Sequence, residues 1–288
     1  MLESIDRTLF DSFTLGNPFC LRIEGNLLAD FGNFKKAVSL LKNENKKIYL
    51  STPVCPMPSE FKLIKKTLTE CIDYGLDGIE VNDIGVLRLV REIDNPPPIH
   101  IGPFINIYTS LALNKMADLK AQRVHPAYEL SLKEIQSIAS KYKGDLELCI
   151  HGIIPVSVMN FCQLKGNSIE FLNRNKCKEC LCNEYSIKWE QFSTKNAGRV
   201  LLSGKHIALI ESLYLLSNIS TFFRIEGLYE SPKHLTAIGR VYREALNNLI
   251  EKKNLYTCKE KWKHELNYYS QGLCNGFYFE SSGMDYIV

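Results

Sequence analysis

The sequence predicts an α/β fold of the (β/α)8 type, TIM-barrel-like, with a cysteine-rich insert and a short C-terminal appendage. Short apolar segments alternate with amphipathic segments about eight times between Phe13 and Lys253, a pattern typical of parallel strands joined by helices. Neither GxGxxG nor GxxxxGK[ST] occurs in the chain, so an open nucleotide-binding sheet has no support. Of the 288 residues, 45% are hydrophobic, which is enough for a substantial core.

The predicted helices and strands follow one another along this stretch. The helix over 131–144 is clearest, because Ser131 supplies an N-cap and Glu134 completes a capping box. The helix over 59–75 begins with Ser59 as N-cap and ends at Gly75. The predicted strands are 13–19, 46–53, 78–83, 99–108, 121–126, 145–152, 199–204 and 221–227. The other predicted helices are 84–93, 110–120, 206–218 and 231–253.

Two regions are predicted from this pattern. Residues 1–254 form the barrel domain, with the cysteine-rich insert near 160–190. Residues 255–288 are rich in aromatic side chains and form a C-terminal appendage that packs against the barrel.

Charge and hydropathy restrict the class of protein. A formal net charge of +3 is too small to indicate a nucleic-acid-binding protein. The N-terminal residues include Glu3, Asp6 and Asp11 and no long apolar run, which does not resemble a secretory signal. No segment approaches 18 uninterrupted apolar residues, so no membrane span is predicted. We therefore expect a cytoplasmic protein with reduced thiols.

The cysteines are the most distinctive feature of the sequence. Three of the ten lie within "NKCKECLCNEY", at Cys177, Cys180 and Cys182. In a (β/α)8 barrel the loops that follow the strands open on one face, so Cys20 and Cys162 would converge with this group. Four thiolates suit a structural zinc ion or a [4Fe–4S] cluster. Thiols without a metal remain the alternative.

A few polar residues are candidates for catalysis or binding. Glu129, Glu147 and His151 are the nearest acid or base candidates, and Asn106 stands where it could bind a polar substrate. A structural ion pair for Glu147 and a hydrogen-bonded structural role for His151 remain open. The chain has no HExxH, no GxSxG and no obvious Cys–His pair, which argues against a hydrolase.

The segment "ELCIHGIIPVSVMNFC" over 147–162 resembles the signature of the collagenase-like peptidase family, family 32 among peptidases of unknown catalytic type. Glu147 and Gly152 match that signature, and Cys162 falls at its second cysteine. Pro155 stands at the position of the first cysteine. In this departure the chain resembles one branch of the family, the V-type Fe–S accessory proteins of oxygen-independent ubiquinone biosynthesis. The segments "GNPFCLR", "GIEVNDIGVL" and "CNGFYF" resemble the same branch.

The resemblance implies a cofactor and a set of ligands. It implies a barrel-like fold with an oxygen-sensitive [4Fe–4S] cluster, held by Cys20, Cys162, Cys177 and a fourth cysteine. The branch spaces its last two ligands four residues apart, and residue 181 is Leu. Cys182 is therefore preferred as the fourth ligand, with Cys180 as the alternative.

The resemblance also implies a function and partners. The expected function is that of an Fe–S subunit or accessory protein of an O2-independent hydroxylase. It would pair with a homologous U-type family member and act on an isoprenoid quinone precursor. The alternatives are a collagenase-like peptidase, an RNA base hydroxylation factor and a non-catalytic scaffold. The small net charge counts against RNA.

Overall fold

The computed structural model describes residues 2–19, 31–159, 162, 185–189, 192–196, 199–280 and 285–287. Within these ranges the chain forms one large, mostly parallel sheet covered by helices, and a second, smaller antiparallel sheet.

Seven strands of the large sheet run parallel to one another. They pair in the order β1 to β6, and β12 adds to the other side of β6. Their alternate side chains point to the helices and to the concave interior, as the pleat requires. The strands are β1 (Ser12–Leu15), β2 (Lys47–Ser51), β3 (Gly78–Val81), β4 (Ile99–Ile101), β5 (Ala121–Val124), β6 (Asp145–Gly152) and β12 (Phe222–Glu226).

Helices cover the convex face of this sheet and bury its apolar side chains. Each is amphipathic, and residues such as Leu41, Leu68 and Val90 are at most 1% exposed. The helices are α1 (Phe31–Asn43), α2 (Phe61–Ile72), α3 (Ile84–Arg91), α4 (Ser110–Asp118), α5 (Leu132–Ala139), α6 (Leu213–Ser217), α7 (Pro232–Lys252) and α8 (Glu260–Tyr268). The predicted capping box is confirmed: the Ser131 hydroxyl accepts from the Glu134 backbone N–H, and the Glu134 carboxylate accepts from the Ser131 N–H.

The parallel α/β arrangement was correctly predicted, but the closed eight-stranded barrel is not observed. Among the described residues no strand pairing joins β12 to β1, so the sheet forms an open, curled half-barrel with a seam between these two edges. The segment predicted as another barrel strand is β10 (Val200–Ser203). It pairs antiparallel with β7 (Pro155–Val158) and β9 (Phe192–Asn196) instead, and β8 (Tyr185–Trp189) completes that small sheet.

The segment after β10 also differs from the prediction. Instead of one helix over 206–218, it contains β11 (His206–Ala208), a short 3₁₀ helix and the five-residue α6. Strand β11 pairs antiparallel with the end of β6, and β13 (Leu273–Cys274) pairs with β11. The backbone groups at the end of β6 form hydrogen bonds with residues 206–208, and these bonds outweigh the helical preference of the apolar segment 206–218.

The described part of the C-terminal segment is attached to the large sheet. The Tyr278 hydroxyl donates to the backbone carbonyl of Cys149 at 3.1 Å. Trp262 of α8 is 1% exposed, and its ring N–H donates to Glu244 of α7 at 2.9 Å. Within the described ranges, no helix combines the length and hydrophobicity that a membrane crossing requires.

Candidate functional site

A cavity of about 810 Å³ occupies the seam and the concave interior of the sheet. Residues of β1 and β12 line it on opposite sides. Its apolar wall includes Phe19 and Phe104, whose rings meet edge to face with centroids 5.5 Å apart. Its polar floor consists of Ser51, Tyr128, Glu147, Arg224 and Glu226. A volume of this size is typical of small-molecule sites.

Arg224 is the centre of the polar floor. Its guanidinium contacts the carboxylates of Glu80, Glu147 and Glu226, which belong to three different strands. The Nε–H donates to Glu226 at 2.5 Å and one Nη1–H donates to Glu147 at 3.2 Å, while Glu80 accepts from the same Nη1. The Arg224 side chain is 15% exposed, so these charges interact in a poorly solvated environment.

Glu80 is the most buried of the three carboxylates. Its side chain is 7% exposed and also accepts from the Ser51 hydroxyl at 2.7 Å. Burial by itself raises the pKa of Glu80, but the Arg224 guanidinium and the Ser51 hydrogen bond outweigh burial, and the pKa lies below its ordinary value. The carboxylate is therefore ionised at neutral pH. Gly102 allows close packing here, since a Cβ on it would lie 1.9 Å from the side-chain oxygen of Asn82.

Arg123 forms a second ion pair with Glu147. Its Nη1 donates to Glu147 at 3.2 Å, and its guanidinium stacks on the Phe222 ring, 3.6 Å from the centroid. Burial and the Arg123 charge lower the pKa of the neighbouring His100 to about 4. His100 is therefore neutral at pH 7, and Glu147 is fixed between two guanidinium groups.

Tyr128 belongs to the floor and is in contact with His125. The Tyr128 hydroxyl donates to Glu226 at 2.7 Å. His125 packs on the Tyr128 ring, and its Nδ1 lies 2.6 Å from the carbonyl oxygen of Pro126. A carbonyl only accepts, so Nδ1 carries the hydrogen. Burial and Arg224 lower the pKa of His125, which keeps the ring neutral.

The structure places Glu147 and His151, two of the acid or base candidates, on opposite faces of the sheet. Glu147 faces the interior, as described above. The register between β6 and β12 shifts by one residue after Cys149, so His151 points to the other face of the sheet. There the Tyr242 hydroxyl lies 3.3 Å from its Nδ1. Burial and the nearby His206 lower the pKa of His151 to about 3, so it is a neutral, fully buried ring.

Asn106 and Glu129 lie outside the polar floor. Both are exposed, and Asn106 adopts a left-handed conformation with φ of 58° at the end of a 3₁₀ turn. Glu129 accepts from the Tyr108 hydroxyl at 3.2 Å. Neither is hydrogen-bonded to the residues around Arg224, and their predicted roles remain predictions.

Only one of the predicted cluster ligands lies among the described residues. Cys162 is 4% exposed, whereas Cys20, Cys177, Cys180 and Cys182 lie outside the described ranges. Among the residues that the structure does describe, no three histidine, cysteine, aspartate or glutamate side chains are grouped as metal ligands would be.

The described residues next to these cysteines do pack together. A small hydrophobic cluster contains Phe19, which precedes Cys20, and Val158, which lies four residues before Cys162. Val200 of β10 belongs to the same cluster. The described residues Phe19, Val158 and Val200 thus belong to one cluster.

Sequence reasoning missed Glu80, Arg224 and Glu226. Their signal is present in the sequence, because Glu80 stands between Ile79 and Val81 within a strand, and Arg224 and Glu226 lie in "FFRIE". A charged residue flanked by apolar residues in a buried strand points away from the helices and into the interior. Three such charges imply a buried ionic group.

Comparisons with known proteins give the evolutionary context. An uncharacterized protease of Methanocaldococcus jannaschii is 28% identical over 282 residues, covering 91% of this chain and 67% of that protein. The 23S rRNA 5-hydroxycytidine synthase of Escherichia coli is 24% identical, covering 72% of this chain and 32% of that protein. The tRNA hydroxylation protein P of Helicobacter pylori is 27% identical, covering 80% of this chain and 58% of that protein. The chain thus spans less than two thirds of each of these two hydroxylation proteins.

The family model named Peptidase family U32 matches residues 13–287. This match runs from the first strand of the parallel sheet to the end of the C-terminal segment, and it includes every residue of the polar floor. The sequence signature over 147–162 is therefore part of a likeness that extends over nearly the whole chain: this protein belongs to peptidase family U32.

Proposed function

We propose that this chain takes part in the O2-independent hydroxylation of a base in RNA. The observation that carries the proposal is the polar floor around Arg224, which lies at the inner end of a cavity with aromatic walls. The proposal is further supported by relatives that are named as rRNA and tRNA hydroxylation proteins. A net charge of +3 does not exclude this function, since a single flipped-out base can be held by stacking and hydrogen bonds.

In this proposal the residues of the cavity bind and orient the ring of the RNA base. Phe19, Phe104 and Tyr128 offer faces and edges on which a flat ring can stack. Arg224 and Glu226 hold its polar edge, and Arg123 and Glu147 fix Arg224 in place. Replacing C–H by C–OH is a two-electron oxidation, so without O2 it needs a co-substrate that donates the oxygen atom and is itself reduced by two electrons.

We also propose the [4Fe–4S] cluster that the sequence predicts. Its ligands would be Cys20, Cys162, Cys177 and Cys182, with Cys180 as the alternative fourth. The burial of Cys162 supports this, as does the presence of Phe19 and Val158 in one hydrophobic cluster. When bound, such a cluster accepts and passes on electrons.

Iron content tests the cluster. Protein purified without oxygen is expected to hold about four irons per chain, as a cuboidal cluster demands. Cys20→Ala should lose most of this iron. Cys55→Ala is the matched control, because Cys55 is exposed and has no place in the predicted ligand set. Of Cys180→Ala and Cys182→Ala, the one that loses iron identifies the fourth ligand. Colourless protein with a single zinc ion would contradict the cluster.

An isoprenoid quinone precursor is the second candidate substrate, with a U-type family member as partner. One observation favours it: the cavity continues through the seam to the helices, where Leu40 of α1 and Leu235 and Leu246 of α7 line it. Apolar walls of this kind suit a hydrocarbon chain. A peptidase has less support. In the described part of the cavity no serine or cysteine hydrogen-bonds to a histidine ring, which is the arrangement that an activated nucleophile needs.

A gene deletion distinguishes the two substrates. Cells lacking this gene, grown without oxygen, should lose one hydroxylated nucleoside from tRNA or rRNA when digested RNA is analysed by mass spectrometry. Quinones in the lipid extract of the same cells should be unchanged. Loss of quinones with intact RNA modification would instead support the second candidate and refute the first.

A further inference from the structure

One carboxylate oxygen at the polar floor has no hydrogen-bond partner among the residues that the structure describes. Oε1 of Glu226 accepts both from Arg224, at 2.5 Å, and from the Tyr128 hydroxyl, at 2.7 Å. Within the described part of the chain, Oε2 of Glu226 accepts from no group. Glu226 lines the cavity, and its side chain is 16% exposed. The Glu226 carboxylate therefore presents to the cavity an oxygen that has no partner among the described residues.

A donor that also lacks a partner within the described ranges lies beside this acceptor. A guanidinium has five N–H groups in one plane. Arg224 uses Nε–H for Glu226 and both hydrogens of Nη1 for Glu80 and Glu147, while Nη2 makes one long contact of 3.5 Å to Glu80. One Nη2–H is left without a partner among the described residues. Arg224 also lines the cavity.

We infer that Glu226 and Arg224 together read the edge of a heterocycle on which an N–H group stands next to a carbonyl oxygen or a bare ring nitrogen. Oε2 of Glu226 accepts from the N–H, and Nη2 of Arg224 donates to the neighbouring acceptor. A nucleobase has such an edge, and a simple phenol does not. The inference rests on the proposed function and deepens it, because it names the residues that choose the substrate.

The charge of the floor agrees with this assignment. Three carboxylates surround two guanidinium groups, those of Arg224 and Arg123. Counted with Glu80 and Arg123, which pair with it, the floor therefore has one excess negative charge, since both neighbouring histidine rings are neutral. A phosphate or carboxylate is repelled from such a floor, whereas a neutral ring that donates an N–H is attracted. The phosphates of a nucleic acid would remain outside the cavity.

Binding of free nucleosides to the wild-type full chain, kept free of oxygen, tests the inference. The probes are uridine, 3-methyluridine and phenol, followed by NMR line broadening or calorimetry. The methyl group of 3-methyluridine replaces the N–H and leaves both carbonyl groups in place. A hydrogen bond to a charged group is lost, so we expect binding about ten-fold or more weaker than that of uridine. Phenol should bind more weakly than uridine as well.

A substitution that preserves shape gives a second test. In Glu226→Gln, the donors Arg224 and Tyr128 hold the amide oxygen at the Oε1 position, so the amide N–H₂ group faces the cavity. This exchange of an acceptor for a donor should remove the preference for uridine over 3-methyluridine. Glu251→Gln is the matched control, because Glu251 is exposed on α7, and it should keep the preference.

The outcomes separate this inference from the proposed function. Three results would overturn the inference that Glu226 and Arg224 recognise this edge: equal binding of uridine and 3-methyluridine, tighter binding of phenol, or no binding of either nucleoside. This holds even if the deletion strain loses its modified nucleoside. A preference for uridine that depends on Glu226 would support it, even if the RNA of that strain is unchanged. The nucleoside comparison uses wild-type protein, so it does not depend on the folding of a variant.

Discussion

Replacement of Arg224 by methionine tests whether the polar floor is an ionic unit. Methionine has a similar length and no charge, so Arg224→Met leaves Glu80 with hydrogen bonds from Ser51 and Asn82 but no opposite charge. Glu147 keeps Arg123 as partner. Glu226 keeps only the Tyr128 hydroxyl. The main effect is therefore two carboxylates without an opposite charge, Glu80 at 7% and Glu226 at 16% exposure.

The expected destabilisation at pH 7 is about 3–5 kcal/mol, the range for a buried ion pair that loses one partner. In urea unfolding followed by circular dichroism this corresponds to a midpoint lower by about 1 M or more. Arg240→Met is the matched control. Arg240 pairs with Glu265 at 2.8 Å but is 63% exposed, so its loss should cost no more than about 1 kcal/mol.

The pH dependence of unfolding tests whether the destabilisation comes from the charge of Glu80. In the wild type the pKa of Glu80 lies below its ordinary value, so the stability that Glu80 contributes is present above its unfolded-state pKa and is lost as pH falls through the folded-state pKa. Without Arg224, burial dominates and raises the pKa of Glu80. Protonation of Glu80 then removes the unpaired buried charge in the variant. The difference in free energy of unfolding between wild type and Arg224→Met should therefore shrink from pH 7 to about pH 4. A loss below about 1 kcal/mol, or a difference that does not change with pH, would refute this reasoning.

Three further predictions follow from the same structure. Glu147→Gln should reduce hydroxylation far more than it reduces the urea midpoint, because Glu147 fixes Arg224; full activity would remove Glu147 from the site. Ser131→Ala should lower the free energy of unfolding by about 1 kcal/mol through loss of the capping box, and an unchanged melting curve would argue against that cap. Gly102→Ala should destabilise the protein by about 1–3 kcal/mol and weaken uridine binding, since its Cβ would lie 1.9 Å from the Asn82 side chain; wild-type binding would show that the floor adapts.

The sequence predicted the repeating part of the fold well, because hydrophobic period and capping act locally. Strands β2, β3 and β6 and helices α3, α5 and α7 lie where these signals placed them. Helix α1 was missed. The eighth barrel strand was wrong for a physical reason: an apolar run such as "RVLLSG" fits any buried edge, and only the tertiary structure decides that β10 pairs with β7.

The candidate site was predictable in part. Glu147 was found, because the sequence signature and a strand assignment both pointed to it. His151 was a second candidate on the same strand, but a one-residue register shift turns it to the other face of the sheet. No local rule predicts such a shift. The partners Glu80 and Arg224 are 144 residues apart, and their pairing follows only from the curl of the sheet.

The most direct measurement of the central claim is RNA modification in the deletion strain carrying variants of this chain. Mass spectrometry of digested RNA and analysis of lipid quinones would be made on the same anaerobic cultures. We predict that the wild type and Glu251→Gln restore the hydroxylated nucleoside, that Glu226→Gln at equal protein level does not, and that quinones stay constant in all strains. Full restoration by Glu226→Gln, or quinones that change while the RNA does not, would contradict the assignment of this cavity to an RNA base.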